Sequence, residues 1–269
     1  MEQPPQTRRD ALGGVQLSKL QLNALAVVSI AACVVVWWLL TASGLVGKVL
    51  LPPPPEVAEA MVRSIADGSL AKHTGISLLR VIEGFFLALS VAVPVGMLMG
   101  SSQVARGLIE PIVELLRPVP PIAMIPLAIL WFGIDELSKV LIIAYGAFFP
   151  ILLNTIAGFR DVDRTHIRAA QTLGATRLQI FRDVILRSAY PLIVVGARLG
   201  MGMAFIVLVA AELIASSSGL GYLINDGRYS FRTDQIFLGM VSIGALGFLL
   251  NKGLLEAERR LVKWKHISH

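Results

Sequence analysis

Three groups of residues carry the chemistry open to this sequence, and each suits binding or transport. The first is RAAQTLGATRLQIF, residues 168–181, with two arginines, a central glycine and small alanines, set between two of the most apolar stretches of the chain. The second is Arg198 with Glu212, fourteen positions apart in a run with no charge between them. At about 100° per residue the two lie about 40° apart around a helix and share a face. Charges inside an apolar segment turn toward the protein interior or a watery path. The pair is therefore a translocation wall or gate, with Arg198 attracting an oxyanion, or else a structural ion pair or two interfacial charges. The third is RPVPPIAMIP, residues 117–126. A helix broken by prolines frees backbone groups that need partners inside protein or a cavity. Arg117 and Pro121 then line a path or hinge, or mark a kink with a capping arginine.

Other chemistry lacks its residues. There is no H-E-x-x-H, no G-x-S-x-G and no aspartate pair embedded in an apolar run. His73, His166, His266 and His269 lack metal-ligand spacing, so neither a metal nor another cofactor is expected. No G-x-x-x-x-G-K-[ST] occurs, so the chain is not expected to hydrolyse ATP itself. The lone Cys33 sits in an apolar run and cannot form an intrachain disulfide.

The elements that must position these groups are membrane spans. Of 269 residues 55% are hydrophobic and only 16% are charged, against about 25% charged in soluble domains. No charge falls between Lys19 and Lys48, Glu83 and Arg106, Arg117 and Asp135, Lys139 and Arg160, or Asp234 and Lys252. A span needs about 20 mostly apolar residues. Six are expected, near 22–41, 77–100, 111–132, 137–159, 190–215 and 233–254. The fold class is all-α and polytopic, one transmembrane domain over 22–264 between tails 1–21 and 265–269. The first 14 residues, MEQPPQTRRDALGG, are not expected to be a cleaved signal, because no short apolar core follows promptly. Four prolines then end the first span, and Glu56 onward reads as a short amphipathic helix outside the bilayer. A kink is expected at Pro94 and Gly96.

Charge sets the orientation. Residues 160–187 hold six arginines against three aspartates, the N-terminus adds Arg8, Arg9 and Lys19, and the tail adds Lys252, Arg259, Arg260, Lys263 and Lys265. In a six-span chain these fall on one side, which the positive-inside rule makes cytoplasmic, termini included. The net charge of +6 is accounted for this way, with no nucleic-acid partner implied. The opening stretch then lies in a cytoplasmic loop. Asp163 caps a helix over 164–173, Gly174 takes the left-handed position after it, and Thr176 caps a second short helix over 177–186. Ile180, Phe181 and Val184 share one face, and Ala169, Ala170 and Ala175 let another surface approach closely. Gly196, Gly200, Met201, Gly202 and Met203 read as a close-packing face, or, more sharply, a subunit contact. SSSGLGYLI, residues 216–224, reads as a flexible external turn.

RAAQTLG with VILR downstream resembles the EAA loop of bacterial binding-protein-dependent ABC importer permeases. Ala169, Ala170 and Gly174 match that pattern, while Arg168 stands in place of its glutamate and Arg187 in place of its proline. The resemblance extends over PIVELLRPVPPIAMIPLAILWFGI (111–134), VAAELIASSSGLGYLI (209–224) and LLEAERRLVKW (254–264), which look like the nitrate, sulfonate and taurine group. It implies a coupling helix, Arg168, Ala169, Ala170, Leu173, Gly174, Ala175 and Phe181, docked on a cytoplasmic ATPase. Arg117, Pro121, Arg198, Met201 and Glu212 would lie on the pathway or gate, and the 216–224 turn in the periplasmic gate. The implied partners are an ATPase dimer, a second permease copy, a substrate-binding protein and membrane lipid, at the bacterial inner membrane. The implied cargo is a small sulfonate such as taurine or an alkanesulfonate, with nitrate, bicarbonate or a thiamine-precursor pyrimidine also within the group. A proton-coupled secondary transporter would show the same spans but would not need the two-helix loop.

Overall fold

The structure, a computed structural model, describes residues 19–47 and 49–261. Arg8, Arg9, Lys48, Lys263, Trp264, Lys265 and the 265–269 tail lie outside them. The chain divides into two compact units, 1–56 and 57–269.

In the first unit α1 (Lys19–Ala42) is apolar around its circumference, with Val27, Val28, Ile30, Val35 and Trp38 all exposed. A helix of that kind suits lipid. Its end is tied down where Trp37 Nε1 donates to the Pro52 carbonyl at 3.0 Å.

Next come α2 (Pro54–Ala66), α3 (Ser69–Ser101), α4 (Gln103–Leu116), a 3₁₀ turn Pro121–Met124 leading into α5 (Ile125–Phe132), and α6 (Glu136–Arg160). They are followed by α7 (Arg164–Thr172), α8 (Arg177–Gln179), α9 (Leu186–Ala215), α10 (Leu220–Tyr229) and α11 (Thr233–Leu261). Four helical stretches among the described residues are long and apolar enough to span: Ser69–Ser101, Glu136–Arg160, Arg177–Tyr229 and Thr233–Glu256. The pair α4 and α5, bent by 84°, makes a fifth, and Val27–Ala42 is a shorter apolar helix where the first of six spans is expected.

α6 is the centre of the second unit, held between α3 and α9. Small residues recur every fourth position on α3, at Gly84, Ala88, Ala92, Gly96 and Gly100, so one stripe faces α6 along its length. A methyl built on Gly84 would stand 2.5 Å from Ile143, and one on Gly96 2.7 Å from Thr155. α9 does the same from the other side, Gly196 against Asn154 and Gly200 against Ile151. Close approach of this kind substitutes van der Waals contact for the hydrophobic drive that lipid does not supply. The packing reading of Gly196 and Gly200 therefore holds, whereas Gly202 faces open space.

Several expectations change. The prolines at 118–121 do break the third span, and the 84° bend is their result. Pro94, by contrast, sits inside an α3 that runs unbroken to Ser101. The second loop helix is not separate: α8 runs through a π turn, Ile180–Ile185, straight into α9. Residues 216–224 are not a flexible turn throughout, since α10 begins at Leu220. The amphipathic α2 buries Val57 and Ala60, the latter against Leu223 and Leu238.

Candidate functional site

α6 carries a polar assembly at each end. At its start lies a buried ion-pair network. Arg80 of α3 is 2% exposed, yet every N–H of its guanidinium finds an acceptor. Nε donates to Glu136 at 2.5 Å, and Nη2 to Glu136 at 2.6 Å and to the Ser218 hydroxyl at 2.9 Å. Nη1 donates to Glu212 and to the Ser218 carbonyl, both at 2.7 Å. Glu212, 1% exposed, also accepts from the Ser77 hydroxyl at 2.8 and 2.9 Å and from the Gly221 amide at 2.9 Å. Lys139 donates to Glu136 at 3.1 Å. The buried Arg80, Lys139 and Glu212 are thus balanced with the help of the solvent-exposed Glu136, as burial of charge demands.

The network closes on the 216–221 turn. Ser77 accepts from the Leu220 amide at 2.9 Å, and His73 Nδ1 accepts from the Gly219 amide at 3.0 Å. Gly219 has φ +108, and a methyl there would overlap the Glu212 carboxylate, so no other residue fits. Four elements, α3, α6, α9 and α10, are pinned at one point.

The expected relation of Arg198 to Glu212 is corrected. Fourteen residues of helix separate them by about 21 Å along the axis, so a shared face does not bring them together. Glu212 pairs with Arg80, while Arg198 donates to Glu258 of α11 at 2.9 Å. Glu212 is enclosed in the fold and faces no open path within this chain. Met201 is likewise buried in the core, 7% exposed. Its neighbours Leu199, Gly202, Met203 and Ile206, with Arg198 and Asn251, instead line an open groove of 740 Å³. Arg117 is exposed at the end of α4, and Pro121 opens the 3₁₀ turn that packs on α6 at Gly146.

At the other end of α6 lies the 160–187 loop. The Asp163 carboxylate caps α7 by accepting from the Thr165 amide at 2.7 Å, and this bond holds its pKa below the ordinary aspartate range. Gly174 takes φ +78. Thr176 and Gln179 form a reciprocal capping box at the start of α8. Between these caps Leu173 is 87% exposed and Leu178 74%. Arg168 and Ala169 are exposed, and Ala170 and Ala175 half-buried. Phe181 departs from its expected place on the docking face. It is half-buried and its ring lies 6.2 Å from that of Phe159, so it anchors the loop to α6.

Ser77, Arg80, Glu136, Ser218 and His73 were not among the sequence candidates. Arg80 and Glu83 sit inside an expected span beginning at 77, and a charge at that position was the one available pointer.

Residues 92–254 match the family described as binding-protein-dependent transport system inner membrane component. The chain belongs to this family. It is an ABC importer permease. It is 40% identical over 245 residues to the taurine transport system permease protein TauC of Escherichia coli, covering 89% of each chain. It is 38% identical to the putative aliphatic sulfonates transport permease protein SsuC of Bacillus subtilis, over 88% of this chain and 86% of that one. It is 30% identical to the nitrate import permease protein NrtB of Synechocystis, over 96% and 95%. Among solved structures, an amino acid ABC transporter chain superposes with a TM-score of 0.61 at 19% identity, over 75% of this permease and 97% of that chain, which supports the fold.

Proposed function

We propose that this permease carries a small sulfonate, taurine or an alkanesulfonate, across the bacterial inner membrane. It works as one of two permease copies, driven by a separate ATPase dimer and supplied by a substrate-binding protein. The observation that carries the coupling reading is the exposed pair Leu173 and Leu178 on a loop rigidly capped by Asp163, Thr176 and Gln179. An apolar knob held out by two capped helices has no covering partner among the described residues and is shaped for a groove on another chain. Arg168, Ala169, Ala170, Gly174 and Ala175 form its surround. Six arginines in 160–187 support a cytoplasmic position for this loop by the positive-inside rule, and six spans would put both termini on the same side. The network at Arg80 and Glu212 then lies at the periplasmic end and fixes the external turn. Arg198 lines the open groove beside Asn251 and Met203, and an anion there would have to compete with its ion pair to Glu258.

The sulfonate reading is favoured by the relatives named for taurine and aliphatic sulfonates. The relative named for nitrate supports a second cargo of the same charge and oxyanion chemistry. The permease is to be reconstituted in vesicles with its ATPase and binding protein, and uptake of taurine, methanesulfonate and nitrate measured with and without ATP. ATP-dependent sulfonate uptake that Leu173→Asp abolishes is expected. Nitrate uptake without sulfonate uptake would reassign the cargo. Uptake that persists without ATP or ATPase would identify a secondary transporter and overturn the coupling role.

A further inference from the structure

A second basic feature of the 160–187 end is not used by the coupling loop. A hollow of 400 Å³ lies between the α3–α4 turn and the start of α7, lined by Ser101, Gln103, Arg106, Arg160 and Arg164 over a floor that includes Phe159. Among the described residues no carboxylate lines it. Arg106 is fixed, its Nε and Nη2 donating to the Met99 carbonyl at 3.3 and 3.2 Å, which closes the last turn of α3. Arg160 and Arg164 are exposed, and among the described residues neither has a carboxylate within 4.0 Å. The nearby Asp163 is already engaged by the Thr165 amide. Three like charges around one concavity repel, so an anion between them is favoured.

We propose that this hollow binds the phosphate of an anionic phospholipid headgroup. Two observations select a lipid over a free oxyanion. The hollow sits where α3 and α6, both spanning helices, end, which is headgroup depth. It also adjoins α4, on which Val104, Leu108, Ile112 and Leu115 form an exposed apolar stripe at helical spacing. Acyl chains lie along that stripe while the headgroup sits among the arginines. The inference rests on the chain spanning a membrane and is independent of its cargo.

The full-length permease is to be placed in phosphatidylcholine nanodiscs with and without phosphatidylglycerol, and retained lipid counted by native mass spectrometry. Replacing two arginines at about 1 kcal/mol each predicts roughly 30-fold weaker phosphatidylglycerol retention in R160Q/R164Q. The charge-preserving R160K/R164K should keep most of the retention, and R182Q/R187Q, which removes the same charge outside the hollow, should keep all of it. Equal loss in R182Q/R187Q would show diffuse attraction and overturn the site. Inorganic phosphate raising the unfolding temperature in pure phosphatidylcholine as much as phosphatidylglycerol does would assign a free anion instead. Unchanged lipid retention in R160Q/R164Q with loss of ATPase co-purification would make the hollow a protein contact. Failure of R160Q/R164Q to fold leaves the lysine pair to decide: retention lost there too sinks the proposal.

Discussion

Replacing Glu212 by Gln isolates the charge of the network from its shape. The side chain keeps its volume, but one oxygen becomes an NH₂ group. Oε1 receives Arg80 and Ser77, and Oε2 receives Ser77 and the Gly221 amide. Whichever side takes the NH₂ therefore points a donor at a donor. Breaking a buried ion pair by altering one partner costs about 3–5 kcal/mol. Arg80 keeps Glu136 and Ser218, so the lower end, about 3 kcal/mol, is expected here. The cost falls on the turn that the network holds, because Leu220 and Gly221 donate their amides into it. Hydrogen exchange of residues 216–224 in lipid nanodiscs reads that local opening directly. About 3 kcal/mol corresponds to roughly 100-fold faster exchange at Leu220 and Gly221. Glu136→Gln is the internal control. Glu136 is 61% exposed, and solvent screening should limit its effect to about 1 kcal/mol. Exchange in Glu212→Gln within threefold of the parent would refute the claim that this carboxylate fixes the turn.

Gly219→Ala should reproduce the Glu212→Gln opening by a different route, since its methyl overlaps the carboxylate and its φ of +108 disfavours any side chain, and accelerated exchange over 216–224 is the check. Gly174→Val meets nothing within 4 Å but must hold a β-branched residue at φ +78, so ATPase stimulation should fall while permease folding and detergent stability are kept. The depressed pKa of Asp163, caused by the Thr165 amide, stabilises the α7 cap above the unfolded aspartate value and is lost as pH falls through the folded one. Exchange at Thr165 should therefore quicken below about pH 4, and Asp163→Asn should remove that pH dependence while keeping the cap.

Legibility in the sequence followed the range of each interaction. The caps of the 160–187 loop were readable because Asp163, Gly174 and Thr176 act on residues at most a few positions away. The break of the third span was readable because a proline acts on its own turn. Glu212 was readable as a charge in an apolar run, but its partner was not. Arg80 lies 132 positions upstream, and only the packing of α3 and α9 together around α6 brings the two into contact. Helical azimuth pointed to Arg198 as the companion, because azimuth says nothing of distance along the axis. The burial of Met201 and the contact of Phe181 with Phe159 were not legible for a related reason. Composition shows that a helix has a smooth side, but which side meets α6 depends on where Gly196 and Gly200 allow approach.

The two ends of α6 are built on opposite principles, and this bears on how the permease moves. At the start of α6 Arg80, Lys139, Glu136 and Glu212 are paired, every guanidinium N–H of Arg80 is used, and α3, α6, α9 and α10 share one hub. At its end the loop continues through the π turn Ile180–Ile185 into α9 without a hinge, with the Phe159 and Phe181 rings in contact and Leu173 turned outward. A force applied at Leu178, on the run that starts at Arg177, is therefore passed into α9 as a continuous helix and carried to the hub at Glu212. The glycine stripes on α3 and α9 lock α6 against both neighbours over the same distance. Deformation is then expected first in the elements outside this closely packed core. Among these is the 84° bend between α4 and α5, where Tyr145 of α6 donates to the Leu116 carbonyl at 2.8 Å. Tyr145→Phe, which removes that donor and nothing else, should alter transport without altering exchange at Leu220. A change at Leu220 of the size expected for Glu212→Gln would mean that the bend and the hub are one unit.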